Sequence, residues 1–332
     1  MNTAANKTEL LGSGLEMHMA SDLSQAGNPK NTFIVSYGDQ RCESDIHIPT
    51  LIFGTSHIIE SWQGMFERLP IKDTDWDFYH NEQYLIAAIP TQLHLNLPID
   101  RATEVAYSEL FKQIEALGYP YLLRTWNYLP QITHAVKREQ NNYQLFCSGR
   151  SRAYKNSNHE HDYPAATVVG TQQEGLHIYF IAGKTLGSGI ENPQQVSAFH
   201  YPAEYSEDRP LFSRALYHRN NSQEIFFVSG TASIKGHQTL HKDDVIRQLE
   251  VCLDNISHLI DTCVSDEKMN KISTAEMTQL KVYIKHANDF DHVKSYLENN
   301  LDDTRHIYYL QSDLCRDDLL VEIEALTIQT IK

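Results

Sequence analysis

Two glutamates near the end of the sequence occupy a pattern that could support acid catalysis. Glu322 and Glu324 lie in the segment LLVEIEAL (319–326), whose apolar residues and short length are typical of a β-strand. Strand alternation places the two carboxyls on one face. Burial of that face among apolar residues would favour the neutral acid, which could then donate a proton near neutral pH. The alternative is that one or both are surface carboxylates on an edge strand.

Other groups that could carry chemistry show weaker patterns. His237 and His241 have i,i+4 spacing, but no third ligand or HExxH pattern accompanies them, so we interpret them as loop and cap residues. The glycine-rich loop at 183–193 lacks the spacing of a phosphate-binding P-loop. No two cysteines form a CxxC pair, which favours free thiols in a reducing cytosol over a metal site. The cysteines are Cys42, Cys147, Cys252, Cys263 and Cys315.

Length and charge restrict the class of protein. The chain has 332 residues and a net charge of −15, with no run of lysine or arginine, so it is not expected to bind nucleic acid. An acidic protein that handles an anionic substrate needs a few arginines brought together by the fold. No stretch approaches ~18 consecutive apolar residues and the first residues show no signal-peptide pattern, so we predict a cytoplasmic protein without a membrane span.

The elements that would position these residues occur twice in a similar order. In the first half a strand at 84–89 precedes a helix at 101–117, which Gly118 ends, and a strand at 121–129. The second half repeats strand, helix and strand, with further elements after them. Its predicted elements are strands at 224–228, 281–285, 307–311 and 319–326 and helices at 243–260 and 291–299. Three segments between the halves also have the composition of strands, at 143–147, 166–169 and 176–181.

This alternation predicts an α+β fold with mixed sheets and helices packed on one face of each sheet. The repeated order indicates two similar units that share a pocket between them. We predict a flexible polar segment at 1–30, a first unit at 31–160 and a second unit at 161–332. Internal duplication can replace separate subunits, which favours a monomer with internal pseudo-symmetry.

Several segments resemble known families. The second half is similar to the reactive-intermediate (enamine/imine) deaminases in FFVSG (226–230), Gly236, the Asp243/Asp244 pair and VEIEAL (321–326), together with Gln248 and Asn255. A closer resemblance, to the chorismatase family, covers most of the chain. Its matching segments are FCSGRSRAY (146–154), IENPQQVSAFHYPAEY (190–205), LFSRA (211–215), FVSGTASIKGHQTLHKDD (227–244) and DLCRDDLLVEIEAL (313–326).

The resemblance implies two fused deaminase-like units, with the active site in the C-terminal one, and an enzyme that removes pyruvate from chorismate. Hydrolysis of an enol ether begins with protonation of its terminal methylene, so no cofactor is required. The family position of the acid is Glu322, with Glu324 as the alternative. Arg150 and Arg214 are implied as ligands of the substrate carboxylates. Alternative ligands of the carboxylates are Arg152, Arg305 and Arg316. The implied hydrogen-bond donors are Tyr143 and Tyr201, and Tyr154 is a weaker candidate.

Gly230 and Cys315 bear on the product. The family branch that forms 3-hydroxybenzoate resembles this chain in having glycine and cysteine at these positions, and some of its members also release 4-hydroxybenzoate. Another branch forms a dihydroxycyclohexadiene carboxylate by plain hydrolysis. Two alternatives of other classes stay open: an enamine/imine deaminase, and a small-molecule binder without catalytic activity.

Overall fold

The structure is a computed structural model that describes most of the chain. The described residues are 14–21, 24, 31–39, 41–71, 76–91, 94–137, 140–171, 174–202, 208–265, 277, 279–301 and 307–331. Of the segment predicted to be flexible, residues 16–20 form a strand, and most of the remainder lies outside the described residues. Within the described residues, no helix combines the length and apolar character needed to cross a bilayer.

Short strands and a few long helices make up the described chain. In chain order the strands are β1 (Glu16–Ala20), β2 (Phe33–Tyr37), β3 (Ile46–Ile48), β4 (Leu51–Ile52), β5 (Ile58–Gln63), β6 (Glu67–Pro70), β7 (Asp77–His80), β8 (Tyr84–Ala88), β9 (Tyr121–Pro130), β10 (Ala135–Lys137), β11 (Gln140–Asn141), β12 (Ala165–Thr171), β13 (His177–Gly183), β14 (Ser188–Ile190), β15 (Ala215–Arg219), β16 (Gln223–Ala232), β17 (Ile234–Lys235), β18 (Gln238–Thr239), β19 (Gln279–Ile284), β20 (Ile307–Gln311) and β21 (Val321–Thr330). The helices are α1 (Ile99–Ala116), α2 (Asn142–Lys155), α3 (Val245–Ser265) and α4 (Phe290–Asn300), with 3-10 turns at Ala198–His200 and Ala287–Asp289.

The two large sheets have the same topology. The first has the strand order β12-β9-β13-β8-β7-β6, and the second has the order β14-β15-β16-β21-β19-β20-β4. In each sheet the strand after the first helix pairs in parallel with the strand after the second helix, and the last strand inserts antiparallel into the middle. The predicted duplication and the α+β class with mixed sheets are therefore confirmed. A smaller sheet, β1-β5-β2-β3, accompanies them.

The helices cover the outer face of each sheet, and the inner faces share a core. Helix α1 buries Ala106, Leu110 and Ile114 against the first sheet, since these residues recur at helical spacing. Helix α3 does the same for the second sheet. Strand side chains alternate between the layers, so Phe226 faces the helices while Phe227 lies in the inner core. That inner core also receives side chains from the smaller sheet.

Two sequence-based expectations differ from the observed arrangement. The segment 143–147, predicted as a strand, lies in α2 because Asn141 and Gln144 form a capping box that starts a helix there. A division at residue 160 would cut the first sheet, because β12 and β13 complete it. We propose that the boundary between the units follows Gly183.

Candidate active site

A cavity of about 380 Å³ lies where the two units meet. The start of α2 contributes its side from the first unit, and the second unit contributes the remainder. The lining residues are Asn141, Tyr143, Gln144, Tyr201, Pro210, Phe212, Arg214, Gly230, Ala232, Ile234, Cys315, Arg316, Asp317, Asp318 and Glu322. The fold thus brings six of the seven predicted site residues to one cavity, and the seventh, Arg150, is not among the lining residues.

Glu322 is a buried carboxyl at the cavity wall. It follows Val321 at the start of β21 and points to the inner face, whereas Val321 and Ile323 pack in the helix layer. Its exposed fraction is 4%, and no described residue donates a hydrogen bond to it. Burial, followed by the negative charge of Glu324, raises its pKa to about 8 against the opposing effect of Arg124 and Arg214. The carboxyl can therefore hold a proton at neutral pH and present it to a ligand.

Glu324 lies on the same face but in a different environment. Lys281 Nζ is 2.8 Å and Arg124 Nη2 is 2.9 Å from its oxygens, and Thr167 donates a hydrogen bond of 2.6 Å. Trp126 Nε1 and the Tyr283 hydroxyl donate as well. Burial opposes ionisation, but these two cations outweigh it and hold the pKa of Glu324 at about 2. Glu324 therefore has no proton to give.

A bulge places Gly230 against the acid. The register between β16 and β21 shifts between Val228 and Thr231, so that Ser229 and Gly230 lie opposite a single residue. Ser229 secures the bulge, because its hydroxyl accepts from the Ala166 amide and donates to the Ser213 carbonyl. A Cβ on residue 230 would overlap Oε1 of Glu322. Glycine is therefore required for the observed position of the Glu322 carboxyl.

Cys315 contributes a small neutral group to the same wall. It lies in the loop between β20 and β21, seven residues before Glu322. Burial, followed by the charge of Glu322, raises the pKa of its thiol to about 12. Cys315 is therefore neither a thiolate nucleophile nor a base at neutral pH.

Two arginines supply positive charge to the cavity. The guanidinium carbons of Arg214 and Arg316 lie 5.4 Å and 5.6 Å from the ring centre of Tyr201. Arg214 Nη2 donates to the Tyr201 hydroxyl at 2.6 Å and to the carbonyl of Val196, while its buried Nε has no partner among the described residues. Arg316 Nη1 donates to the His237 carbonyl. The tyrosine ring thus holds both cations at the wall, where an anionic ligand can reach them.

The remaining sequence candidates lie in other places. Arg150 is buried within the first unit, with its guanidinium carbon 4.8 Å from the ring centre of Tyr107 and 5.4 Å from that of Tyr154. Arg152 is paired with Glu104 and Asp100. Arg305 lies outside the described residues. Arg316, a reserve in the sequence analysis, is therefore better placed than Arg150 to meet a ligand in the cavity.

Tyr143 reaches the cavity from the first turn of α2. Burial, followed by the charges of Cys147 and Cys315, raises the pKa of its phenol well above the usual value, so it is a neutral hydrogen-bond donor. The described residues contain no group of three or more His, Cys, Asp or Glu side chains that could hold a metal ion.

Sequence reasoning missed the buried charged residues near Glu324: Arg124 and Lys281 pair with it, and Glu60 pairs with Lys281. All three are almost fully buried. Arg124 and Lys281 lie in strands rich in apolar and aromatic residues, YLLRTWNYLP (121–130) and QLKVYI (279–284). A charge in such a strand is a signal, because a buried charge is rarely found without a partner.

The chain is similar to known proteins in sequence and in fold. Residues 60–182 match the family model described as "Chorismatase FkbO/Hyg5-like, N-terminal". The chain is 35% identical over 237 residues to a 3-hydroxybenzoate synthase of Streptomyces hygroscopicus, which covers 68% of this chain and 69% of that protein. It is 35% identical over 234 residues to a chorismatase of Streptomyces rapamycinicus, with 68% and 69% covered. A crystal structure of a chorismatase superimposes with a TM-score of 0.84 at 27% identity, over 95% of this chain and 98% of that one.

Proposed function

The chain belongs to the chorismatase family, and from that premise we propose that it is an enzyme that converts chorismate into 3-hydroxybenzoate and pyruvate. One observation carries the proposal: the buried Glu322 carboxyl, with its raised pKa, faces a cavity that also presents Arg214 and Arg316. Chorismate is a dicarboxylate with an enol ether. Its enol ether needs the proton that Glu322 holds, and its carboxylates need the positive charge of Arg214 and Arg316.

The chemistry follows from protonation of carbon. Glu322 gives its proton to the terminal methylene of the enolpyruvyl group, and the ether oxygen stabilises the resulting oxocarbenium ion. The neighbouring ring hydroxyl adds to this ion and loses its proton, which balances the proton taken from Glu322. Aromatisation then breaks the bond between the ring and the former hydroxyl oxygen and removes the hydrogen from the ring carbon that bears the ether oxygen. Pyruvate leaves with the former hydroxyl oxygen, while the ether oxygen stays on the ring as the phenol and takes a proton in exchange for the ring proton. The two products contain all the atoms of chorismate, so no water is consumed.

Gly230 and Cys315 support capture by the ring hydroxyl. Neither residue can activate a water molecule beside the oxocarbenium carbon, since Gly230 has no side chain and the Cys315 thiol stays protonated. The small size of both residues leaves the space next to Glu322 to the substrate. Tyr143 can donate a hydrogen bond to the ligand from the first unit.

The test uses the purified protein and chorismate alone. Pyruvate is measured by coupling to lactate dehydrogenase, and the ring product is identified by liquid chromatography with mass detection. Pyruvate is expected in an amount equal to the total hydroxybenzoate, which is 3-hydroxybenzoate alone or with some 4-hydroxybenzoate. A diene acid in place of the aromatic acid would mean plain hydrolysis. Binding of chorismate without pyruvate release would mean a binding protein, and ammonia release from enamines would mean a deaminase.

A variant of the acid separates catalysis from binding. Glu322→Gln keeps the shape of the side chain but removes the acidic proton, so turnover should be lost while chorismate still binds through Arg214 and Arg316. Full activity of Glu322→Gln would remove this residue from the role of proton donor.

We also propose that the enzyme acts as a monomer in the cytoplasm. The cavity is lined by both units of one chain, which supports a site that needs no second copy. All five cysteines are free thiols, as suits a reducing compartment. Size-exclusion chromatography with light scattering tests the oligomeric state.

A further inference from the structure

A cluster of four charged side chains lies buried beside Glu322. Its members come from the small sheet and from the two large sheets. Lys281 Nζ is 2.7 Å from Glu60 and 2.8 Å from Glu324, and Arg124 Nη2 is 2.9 Å from Glu324. None of these side chains is more than 5% exposed. We call Glu60, Arg124, Lys281 and Glu324 the junction cluster, since they come from the small, first and second sheets.

The junction cluster is neutral as a whole. Its two carboxylates equal its two cations in number, and each carboxylate accepts further hydrogen bonds. Glu60 accepts from Trp62 Nε1, Tyr37 and Tyr179. Tyrosines bordering the cluster add no charge, because burial raises their pKa values; they are Tyr37, Tyr128, Tyr179 and Tyr283.

Glu322 is a third carboxyl in this layer, and no cation among the described residues forms a direct ion pair with it. The charged or titratable groups that act on it are Glu324 from its own strand, Arg124 from β9 and Arg214 from the segment before β15. The thiols of Cys315 and Cys252 also lie close enough to sense its charge. Arg124 already pairs with Glu324, and Arg214 is held at the cavity wall by Tyr201.

We propose that Glu324 is a positioning residue: its permanent negative charge, locked in place by Lys281 and Arg124, keeps the proton on Glu322. If Glu322 were ionised, the buried layer would carry a net negative charge. Glu322 and Glu324 lie two residues apart on the same face of one strand, and little water would screen the repulsion between them. The two glutamates thus divide the roles of acid and fixed charge. The role of Glu322 as donor rests on the proposed function, but the control of its proton by Glu324 does not.

The chain offers a matched control in Glu60. Glu60 and Glu324 both pair with Lys281, and each accepts from a tryptophan indole and from tyrosine. Loss of either carboxylate therefore removes one anion from the junction cluster and one partner of Lys281, and loss of Glu324 also removes the partner of Arg124. Only Glu324 is among the groups that act on Glu322. A structural role predicts the same outcome for Glu324→Gln and Glu60→Gln, whereas a charge role predicts different outcomes.

The first measurement needs no substrate. The Glu322 carboxyl is titrated by NMR in protein labelled with carbon-13 at glutamate, and Glu322→Gln assigns its signal. Glu324→Gln should lower the midpoint by roughly one pH unit or more, because it removes the repulsion and leaves the junction cluster with one excess positive charge. Glu60→Gln should shift it by less, and Glu324→Asp should restore it. Equal shifts in Glu324→Gln and Glu60→Gln, or no shift in Glu324→Gln, would overturn the proposal.

Arg124→Gln provides a test of opposite sign if Glu324→Gln does not fold. Removal of this cation leaves Glu324 less compensated and also removes the direct attraction between Arg124 and an ionised Glu322, so the Glu322 midpoint must rise. A midpoint at or below that of the wild type would contradict the proposal.

The second measurement is the pH profile of pyruvate release from chorismate. Relative to the wild type, Glu324→Gln should lose about fivefold or more at pH 8 and little at pH 5.5, since a pKa lowered by one unit reduces the protonated fraction at pH 8 from about one half to about one tenth. Glu60→Gln should keep the wild-type profile. Absence of pyruvate in the wild type would refute the proposed function alone, because the NMR titration still decides the role of Glu324.

Discussion

Replacement of Glu322 with glutamine should remove a pH dependence from the stability of the fold. The wild-type carboxyl is buried and receives no hydrogen bond from the described residues. Its ionisation in the folded state is therefore costly. Glutamine has nearly the same shape but does not titrate, so a comparison of the two proteins isolates this one group.

The magnitude follows from the shift in pKa. Burial, followed by the charge of Glu324, raises the pKa of Glu322 from 4.5 to about 8. Between these values the folded chain keeps a proton that the unfolded chain has lost, so the free energy of unfolding falls as pH rises, by about 1.4 kcal/mol per pH unit. The loss from pH 5.5 to pH 8 is about 3 kcal/mol. It is absent below about pH 4.5 and complete above about pH 8.

Urea unfolding at pH 5.5, 7 and 8.5, followed by tryptophan fluorescence, measures the effect. The free energy of unfolding of Glu322→Gln minus that of the wild type should increase by about 3 kcal/mol across this range. Cys315→Ala is a control from the same cavity wall, because a thiol with a pKa of about 12 does not titrate here. Its difference from the wild type should not change with pH.

A difference between Glu322→Gln and the wild type that stays constant at all three pH values would refute this reasoning. It would mean that Glu322 is ionised in the folded protein at neutral pH and has no proton to donate.

Three further outcomes test other parts of the site. Gly230→Ala should leave the melting temperature close to that of the wild type but reduce pyruvate release by about tenfold or more, since the added methyl displaces the Glu322 carboxyl from its position. Arg214→Gln should raise KM for chorismate by about ten- to a hundredfold, the equivalent of a charged hydrogen bond worth ~1.5–3 kcal/mol, and Arg214→Lys should recover only part of this loss in steady-state assays. Lys281→Met should lower the free energy of unfolding by about 3–5 kcal/mol in urea titrations, because it leaves two buried carboxylates without their shared cation.

The outline of the fold could be predicted from periodicity. Helical spacing in 101–117 and 243–260 gave two helices within a few residues of their observed bounds, because each helix buries one apolar face. The capping box at Asn141 was the signal that would have predicted a helix over 143–147. The apolar and aromatic residues of this segment alone fit a strand equally well. The resemblance to the family then supplied six of the residues that line the cavity; the predicted Arg150 is not among the lining residues, and the reserve Arg316 is.

The sequence by itself determined that Glu322 and Glu324 share one face of a strand, because side-chain direction alternates along any strand. Only the tertiary structure decided which of them keeps a proton. That choice depends on Arg124 from the first unit and Lys281 from the neighbouring strand, which reach Glu324 and leave Glu322 unpaired at the cavity. Burial and the nearest charges set a pKa, and both are properties of positions in space rather than of neighbours along the chain.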